Sequence, residues 1–141
     1  MDYMIDAAGV LRVPNVHDGY LVALELAEPK TLTARVRDLG GQLFIVRMSG
    51  LSTFLADEFR ESNIIYALLI TSGREPDPSV MRHLLGESHP NVAEEYRLKH
   101  ENFIAGQANR VRTGELTLVV LESSYGCSFI ALCQAVEIES V

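Results

Sequence analysis

The sequence has no hydrophobic run long enough to cross a membrane and no segment typical of a secretory signal. Its longest apolar run, residues 64–70, is far shorter than the roughly 20 residues that a membrane-spanning helix needs. Residues 1–16 carry the acidic Asp2 and Asp6 and lack a basic start followed by an apolar stretch, so they do not match a signal peptide. The sequence therefore predicts a protein without a membrane partner.

Cysteine is scarce, and the two cysteines present are not placed to form a disulfide. Cys127 and Cys133 lie six positions apart in one predicted strand. At about 3.3 Å per residue their Cα atoms would be roughly 20 Å apart, whereas a disulfide needs less than about 7 Å. Even spacing places both side chains on one face, where they are predicted to be small core residues. Reduced cysteines favour a cytoplasmic location.

An excess of basic residues is also missing, because the net charge is −7 at pH 7. The acidic excess is spread along the chain: residues 1–70 hold 9 acids and 6 basic residues, and residues 71–141 hold 10 and 6. Such a chain repels a phosphate backbone on average, unless a local patch such as Arg110 and Arg112 overrides the total. The sequence therefore predicts no nucleic-acid partner and favours another protein.

The remaining composition is that of an ordinary folded domain. Hydrophobic residues make up 48% of the chain and charged residues 22%, which excludes a largely disordered protein. A chain of 141 residues can bury a core without metal or disulfide support and has no room for a second domain. We expect residues 1–141 to form a single domain.

The hydrophobic periodicity changes twice along the chain and predicts an α+β fold. Residues 19–70 show the alternation and turn residues of a β-meander, and residues 116–138 those of a C-terminal hairpin. We predict a mostly antiparallel sheet of about six strands, formed by the meander and the hairpin, with two helices inserted at about 77–109. The residues predicted to lie in the core are Phe44, Val46, Leu68, Ile70, Leu118 and Val120.

Some segments carry more specific predictions. Residues 51–59 have apolar side chains at helical spacing and are predicted to form a short helix or a turn. The first helix is predicted to start at Asp77-Pro78, since Asp can cap free N–H groups and Pro fits the first helical position, and to end near Gly86. A second, longer helix is predicted to start at His89-Pro90, and the hairpin turn to lie at 123–126.

The sequence contains no complete catalytic motif. His17 and Asp18 resemble the pair that helps to bind metal in HD phosphohydrolases, but here the pair precedes a strand and lacks further ligands on helices. His100-Glu101 begins like a zinc-protease helix, yet the second histidine is replaced by Ile104. Neither a G-x-S-x-G sequence nor a phosphate-binding loop is present. We therefore predict no catalytic residues, no metal ligands and no cofactor, with a small metal-assisted hydrolase using His17 and Asp18 as the alternative.

Seven polar residues are candidates for binding a partner: His17, Asp18, Arg35, Arg37, Arg47, Ser124 and Tyr125. The arginines at 35 and 37 project from the polar face of a predicted strand, and that at 47 lies on a neighbouring strand. Three guanidinium groups on one sheet face would recognise a carboxylate-rich surface or an anionic ligand. The residues at 124 and 125 lie at the predicted hairpin turn, an exposed position where recognition residues often occur.

Three stretches of the first half form a recognisable string. They are Asn15-Val16-His17-Asp18-Gly19-Tyr20-Leu21, then Leu43-Phe44-x-x-Arg47-x-x-Gly50-Leu51, then Phe59-x-x-x-Asn63-Ile64-Ile65. This string resembles small bacterial β-rich proteins of uncharacterised function, including immunity-type proteins of polymorphic toxin systems. The resemblance implies a non-enzymatic protein that binds another protein. We therefore favour a non-catalytic protein-binding module of immunity or accessory type, with the metal-assisted hydrolase or a small-ligand-binding domain as alternatives.

Overall fold

Residues 2–141 are described by a computed structural model and form ten strands and two helices. In chain order these are β1 (Met4–Ile5), β2 (Leu11–Val13), β3 (Tyr20–Ala27), β4 (Thr31–Arg37), β5 (Leu43–Ser49), β6 (Thr53–Asp57), β7 (Ile64–Thr71), α1 (Pro78–Leu85), α2 (Glu94–Arg112), β8 (Thr117–Tyr125), β9 (Ser128–Cys133) and β10 (Ala135–Ser140). β1 and β2 form a small hairpin, and the other strands form one antiparallel sheet of eight in the order β10-β5-β4-β3-β7-β8-β9-β6. The α+β class and the antiparallel sheet are confirmed, whereas the predicted count of about six strands is wrong.

The sheet has eight strands because two long extended segments each bend and continue as a new strand. A short link joins β5 to β6, and Gln134 alone joins β9 to β10. The two segments stay paired around the bend, since Gln134 N donates to Ser49 O at 2.9 Å and Ser52 N donates to Leu132 O at 2.8 Å. Gly50 has a φ of +63°, and the Gln134 side chain occupies the place that a Cβ at Gly50 would need. The final strand of the predicted hairpin is therefore two strands.

The strand pairings close into a ring. β5 pairs with β10, β6 pairs with β9, and β3 pairs with β7. The β3–β7 ladder is the shortest in the ring and contains only the pair Tyr20 and Ile64 within the described residues. The N-terminal segment covers the rest of this side of β7, where Val10 bridges Leu69. The ring thus has a seam beside the start of β3.

Apolar residues pack in two clusters, one inside the ring and one beneath the helices. Leu118 and Val120 of β8 belong to the helix-covered cluster, while Val119 and Leu121 belong to the inner one. This alternation explains why residues 116–121 are continuously apolar. Five of the six predicted core residues are buried as expected, whereas Val120 is only partly buried and packs against the helix-covered cluster. The five are Phe44, Val46, Leu68, Ile70 and Leu118.

The first helix matches its prediction and the second does not. The Asp77 side chain accepts a hydrogen bond from Ser79 N at 2.9 Å, and Gly86 is the C-cap of α1. α2 begins at Glu94 rather than at His89-Pro90, and Val111 is its one fully buried residue. Its first turns are exposed. Neither helix within residues 2–141 combines the length and the apolar composition that crossing a bilayer requires.

Two other local predictions are wrong because extended backbone continues further than expected. Residues 53–57 form β6, not a helix or turn; Phe54 packs on the inner cluster and Leu55 on the helix-covered cluster. Their spacing fits a strand with two buried faces as well as a helix. β8 runs through Tyr125, so the turn to β9 consists of Gly126 and Cys127 rather than residues 123–126.

Candidate functional site

His17 and Asp18 lie just before β3 and satisfy two carbonyl groups of β7. The register of β7 against β8 shifts between Ile65 and Ala67, which leaves Tyr66 as the extra residue of a bulge. Asp18 N donates to Ile65 O at 2.8 Å, and His17 Nδ1 lies 2.7 Å from Tyr66 O. Because a carbonyl can only accept, Nδ1 must carry the proton. His17 therefore makes a structural hydrogen bond at the seam of the ring.

The Nε2 side of the His17 ring faces the surface, where few other potential metal ligands lie near it. Its Nε2 lies 3.5 Å from Asp18 Oδ2. Residues 2–141 contain no group of three or more His, Cys, Asp or Glu side chains placed to hold a metal ion, whereas catalytic zinc sites typically use three protein ligands. The cavity beside His17 measures about 220 Å³, below the roughly 300–1,000 Å³ of most small-molecule sites.

Arg35, Arg37 and Arg47 lie on one outward face of the sheet, but their surroundings differ. β4 alternates buried apolar residues with outward polar ones. Arg47, on the neighbouring strand β5, projects to the same face of the sheet as Arg35 and Arg37. Arg47 is held by acidic residues of β10, at 3.3 Å from Glu139 Oε1 and 3.9 Å from Glu137 Oε2. Arg35 and Arg37 are exposed and make no ion pair with any residue among 2–141. Arg47 thus differs from Arg35 and Arg37 in having its charge compensated by neighbouring carboxylates.

The strand register places two tyrosines in the same row as Arg37. Tyr20 lies opposite both Arg37 and Ile64, Ile64 lies opposite Tyr125, and Arg37 lies opposite Leu43. Residues directly opposite share a face, so this row crosses five strands, a span of about 19 Å at about 4.8 Å per strand. Tyr20 and Tyr125 are 42% and 45% exposed. The tyrosine–arginine surface comprises Tyr125, Ile64, Tyr20, Arg37 and Leu43 with Arg35 and Ile45 of the adjacent row.

Tyr125 is oriented by the loop that follows β6. The Arg60 guanidinium lies 5.8 Å from the centre of the Tyr125 ring, and the Tyr125 hydroxyl donates to Glu61 Oε1 at 3.4 Å. Ser124, next to it, is exposed and is the extra residue of a second register shift in β8. Of the seven candidates from sequence, Arg35, Arg37 and Tyr125 meet on one surface, whereas His17 and Asp18 lie at the seam.

Sequence reasoning missed Tyr20 and Asn63. Tyr20 reads as part of an apolar strand face, and only the register reveals that it stands beside Arg37. Asn63 is 3% exposed; its Oδ1 accepts from Arg60 N and Cys127 N, both at 2.9 Å, and its Nδ2 donates to Arg60 O at 3.0 Å and Leu21 O at 3.3 Å. Asn63 thereby joins the three segments that carry Arg60, Tyr20 and Tyr125.

The two cysteines are buried and free, and both belong to the inner cluster. Burial raises the pKa of the Cys133 thiol to about 12. Burial is also the largest cause of the raised pKa of Cys127, and the negative charge of Asp57 adds to it. Because the thiolate is the reactive form, neither cysteine is placed to act as a nucleophile.

Comparison with known proteins leaves the family of the chain open. No family model matches the chain, and no curated protein matches it either. The chain is similar to the crystal structure of an uncharacterized protein from Neisseria gonorrhoeae, at 10% sequence identity and a TM-score of 0.48, covering 90% of this chain and 95% of that one. The resemblance to immunity-type proteins therefore rests on the sequence string alone and stays a prediction.

Proposed function

We propose that the protein is a non-catalytic module that binds another protein through the tyrosine–arginine surface. The observation that carries the proposal is the row in which exposed Tyr20 stands directly opposite exposed Arg37, with Tyr125 two strands further along. Tyr and Arg are the residues, with Trp, that dominate the binding energy of protein interfaces.

The charge of the surface indicates what the partner carries. The protein as a whole has a net charge of −7, yet Arg35 and Arg37 project side by side without a carboxylate partner in residues 2–141. A guanidinium group forms bidentate hydrogen bonds with a carboxylate, which the ammonium group of Lys cannot reproduce. The partner is therefore expected to place Asp or Glu side chains over these arginines and apolar groups over Tyr20 and Leu43.

The arginines are tested by changes that preserve their charge. The wild-type protein and the double variant Arg35→Lys/Arg37→Lys are each immobilised, and a partner captured from an extract of the source cells is purified and titrated calorimetrically. We expect the double variant to bind roughly tenfold or more weakly, because bidentate contacts are lost. Arg82→Lys is the matched control, since Arg82 is also exposed and lies on α1, away from this surface.

The tyrosines are tested in the same titration. Tyr20→Ala and Tyr125→Ala should each weaken binding at least tenfold, as expected for aromatic residues central to an interface. Tyr96→Ala is their control, because Tyr96 is 60% exposed on α2. Equal affinity of the wild type, the arginine double variant and both tyrosine variants would show that the partner binds elsewhere and would refute the proposal.

A further inference from the structure

β3 has an unpaired edge over most of its length. On the side of β7, its last contacts are the pair Tyr20 and Ile64 and the hydrogen bond from Leu21 N to Asn63 O at 2.9 Å. Beyond Leu21 no residue among 2–141 pairs with this side, although β4 pairs with the other side as far as Ala27. Free N–H and C=O groups along an extended strand are a template for an additional strand.

The two other outer edges of the sheet lie beside neighbouring elements, whereas nothing among residues 2–141 pairs with this side of β3 beyond Leu21. β10 carries Glu137 and Glu139, and N-terminal residues lie beside it. β6 ends in Asp57 and lies against α1. β3 carries one charged residue, Glu25, beyond Leu21, and its Leu26 is 61% exposed. Natural sheets usually guard exposed edges with charges or proline, so the open β3 edge is suited to receive a strand.

Two antiparallel registers of a second copy of this chain are unfavourable at this edge. Antiparallel pairing of residues 23–27 with the same residues of a second copy places Glu25 opposite Glu25 of that copy, and like charges directly opposite destabilise a sheet. The register that avoids this contact by shifting toward the N-terminus brings Val22 into the ladder. Val22 is the extra residue of a bulge, which disrupts regular pairing.

The side chains of β3 define what a heterologous strand must carry. On the outward face Ala23 lies opposite Arg35, and its small side chain leaves the unpaired guanidinium within reach of an acidic residue on an added strand. Glu25, exposed and also without an ion pair among residues 2–141, requires a basic residue opposite it. The intervening Leu24 and Leu26 require apolar neighbours, since Leu24 packs on the inner cluster.

We propose that β3 binds an extended segment of the partner protein by strand addition, with an acidic residue opposite Ala23, a basic residue opposite Glu25 and apolar residues between them. The inference rests on the proposed function and specifies the partner, because this edge is continuous with Tyr20 and Arg35 of the tyrosine–arginine surface. Backbone pairing supplies the affinity in such complexes and alternate side chains supply the specificity.

The test uses a synthetic peptide whose pattern reads the same in both strand directions, acetyl-Thr-Glu-Val-Lys-Val-Glu-Thr-amide. Its control exchanges the charges, acetyl-Thr-Lys-Val-Glu-Val-Lys-Thr-amide. The protein has a net charge of −7, so non-specific attraction favours the control peptide. Each peptide is titrated into the ¹⁵N-labelled protein, and backbone amide shifts report the site. A third peptide with N-methylated valines cannot donate the backbone hydrogen bonds.

The first peptide is expected to shift the amides of residues 22–27 and to bind roughly threefold or more tightly than the charge-exchanged control. The N-methylated peptide and the variant Leu26→Lys should both abolish these shifts, whereas Leu39→Lys, at a 72% exposed position, should not. Equal binding of the two charged peptides, equal binding of the N-methylated peptide, or shifts confined to other residues would overturn the inference. Failure of the peptides together with weaker partner binding by Arg35→Lys/Arg37→Lys would leave the proposed function standing.

Discussion

His17 Nδ1 lies 2.7 Å from the carbonyl oxygen of Tyr66, and this contact links the segment before β3 to the bulge of β7. His17, which the sequence suggests as half of a metal-binding His-Asp pair, therefore makes a hydrogen bond that stabilises the fold. We expect His17→Ala to lower the free energy of unfolding by about 0.5–1.5 kcal/mol, the usual net value of one hydrogen bond. Urea denaturation measures this change. A zinc-dependent increase in melting temperature that His17→Ala abolishes would contradict the structural role and favour the hydrolase.

Asn63 provides a stronger test of how the surface is held together. Asn63→Ala removes four hydrogen bonds, two to the buried groups Leu21 O and Cys127 N and two to part-buried backbone groups of Arg60. We expect a loss of about 1–3 kcal/mol or more, because unpaired buried polar groups are costly. Asn102→Ala on the exposed face of α2 is the matched control and should change stability by less than about 0.5 kcal/mol. A loss below that value for Asn63→Ala would show that these hydrogen bonds are not maintained in solution.

The fold class follows from sequence because local periodicity reports burial directly. The alternation at 31–37, the cap at Asp77 and the glycine at Gly86 each depend on neighbouring residues, and each is found as expected. The bends at Gly50 and Gln134 depend on a contact between residues 84 positions apart, which no local pattern contains. The strand count therefore could not be read correctly from the sequence.

For the same reason, only part of the candidate surface could be predicted from the sequence. Arg35 and Arg37 could be placed on an outward face, since alternation within one strand decides it. The meeting of Tyr20 with Arg37 and of Ile64 with Tyr125 depends on register between strands distant in sequence. From the sequence alone, His17 likewise suggests a metal-binding role. Its contact with the carbonyl of Tyr66, which is 49 positions away, is visible only in the structure.

Leu68 tests the assignment of β7 to the middle of the sheet. Its side chain is 1% exposed within the inner cluster. We expect Leu68→Ala to cost about 2–5 kcal/mol through lost transfer energy and the cavity that remains. Leu98→Ala is the control, since Leu98 is 49% exposed on α2 and its truncation should have little effect. Chemical denaturation of both variants gives the comparison, and a loss under about 1 kcal/mol for Leu68→Ala would contradict the central position of β7.

Asp6 should make the protein more stable above its titration range than below it. Its carboxylate accepts hydrogen bonds from Val10 N, Arg12 Nε and Ala8 N, and the Val10 contact is the main reason that its pKa is lowered from 3.8. Since the folded pKa is depressed, the stabilisation is present above the unfolded pKa and is lost as pH falls through the folded value.

The advantage of the wild type over Asp6→Asn should therefore shrink below about pH 4. Melting temperatures of both proteins measured across the acidic range check this, with Asp2→Asn as the control for the loss of one carboxylate. A constant difference between wild type and Asp6→Asn at all pH values would rule out the linkage.

The buried thiols of Cys127 and Cys133 should be inert in the folded protein. A thiol with a pKa of about 12, as at Cys133, has only about one thiolate per ten thousand molecules at about pH 8, and the thiolate is the reacting form. The raised pKa of Cys127 acts in the same direction. We expect Ellman's reagent to label neither thiol while the protein stays folded and to label both after unfolding. Any slow labelling under native conditions should therefore occur only through transient opening of the fold. Ser124→Cys supplies a control thiol at an exposed position and should react at once. Immediate reaction of a native cysteine, traced with Cys127→Ala and Cys133→Ala, would show that its part of the inner cluster is open to solvent.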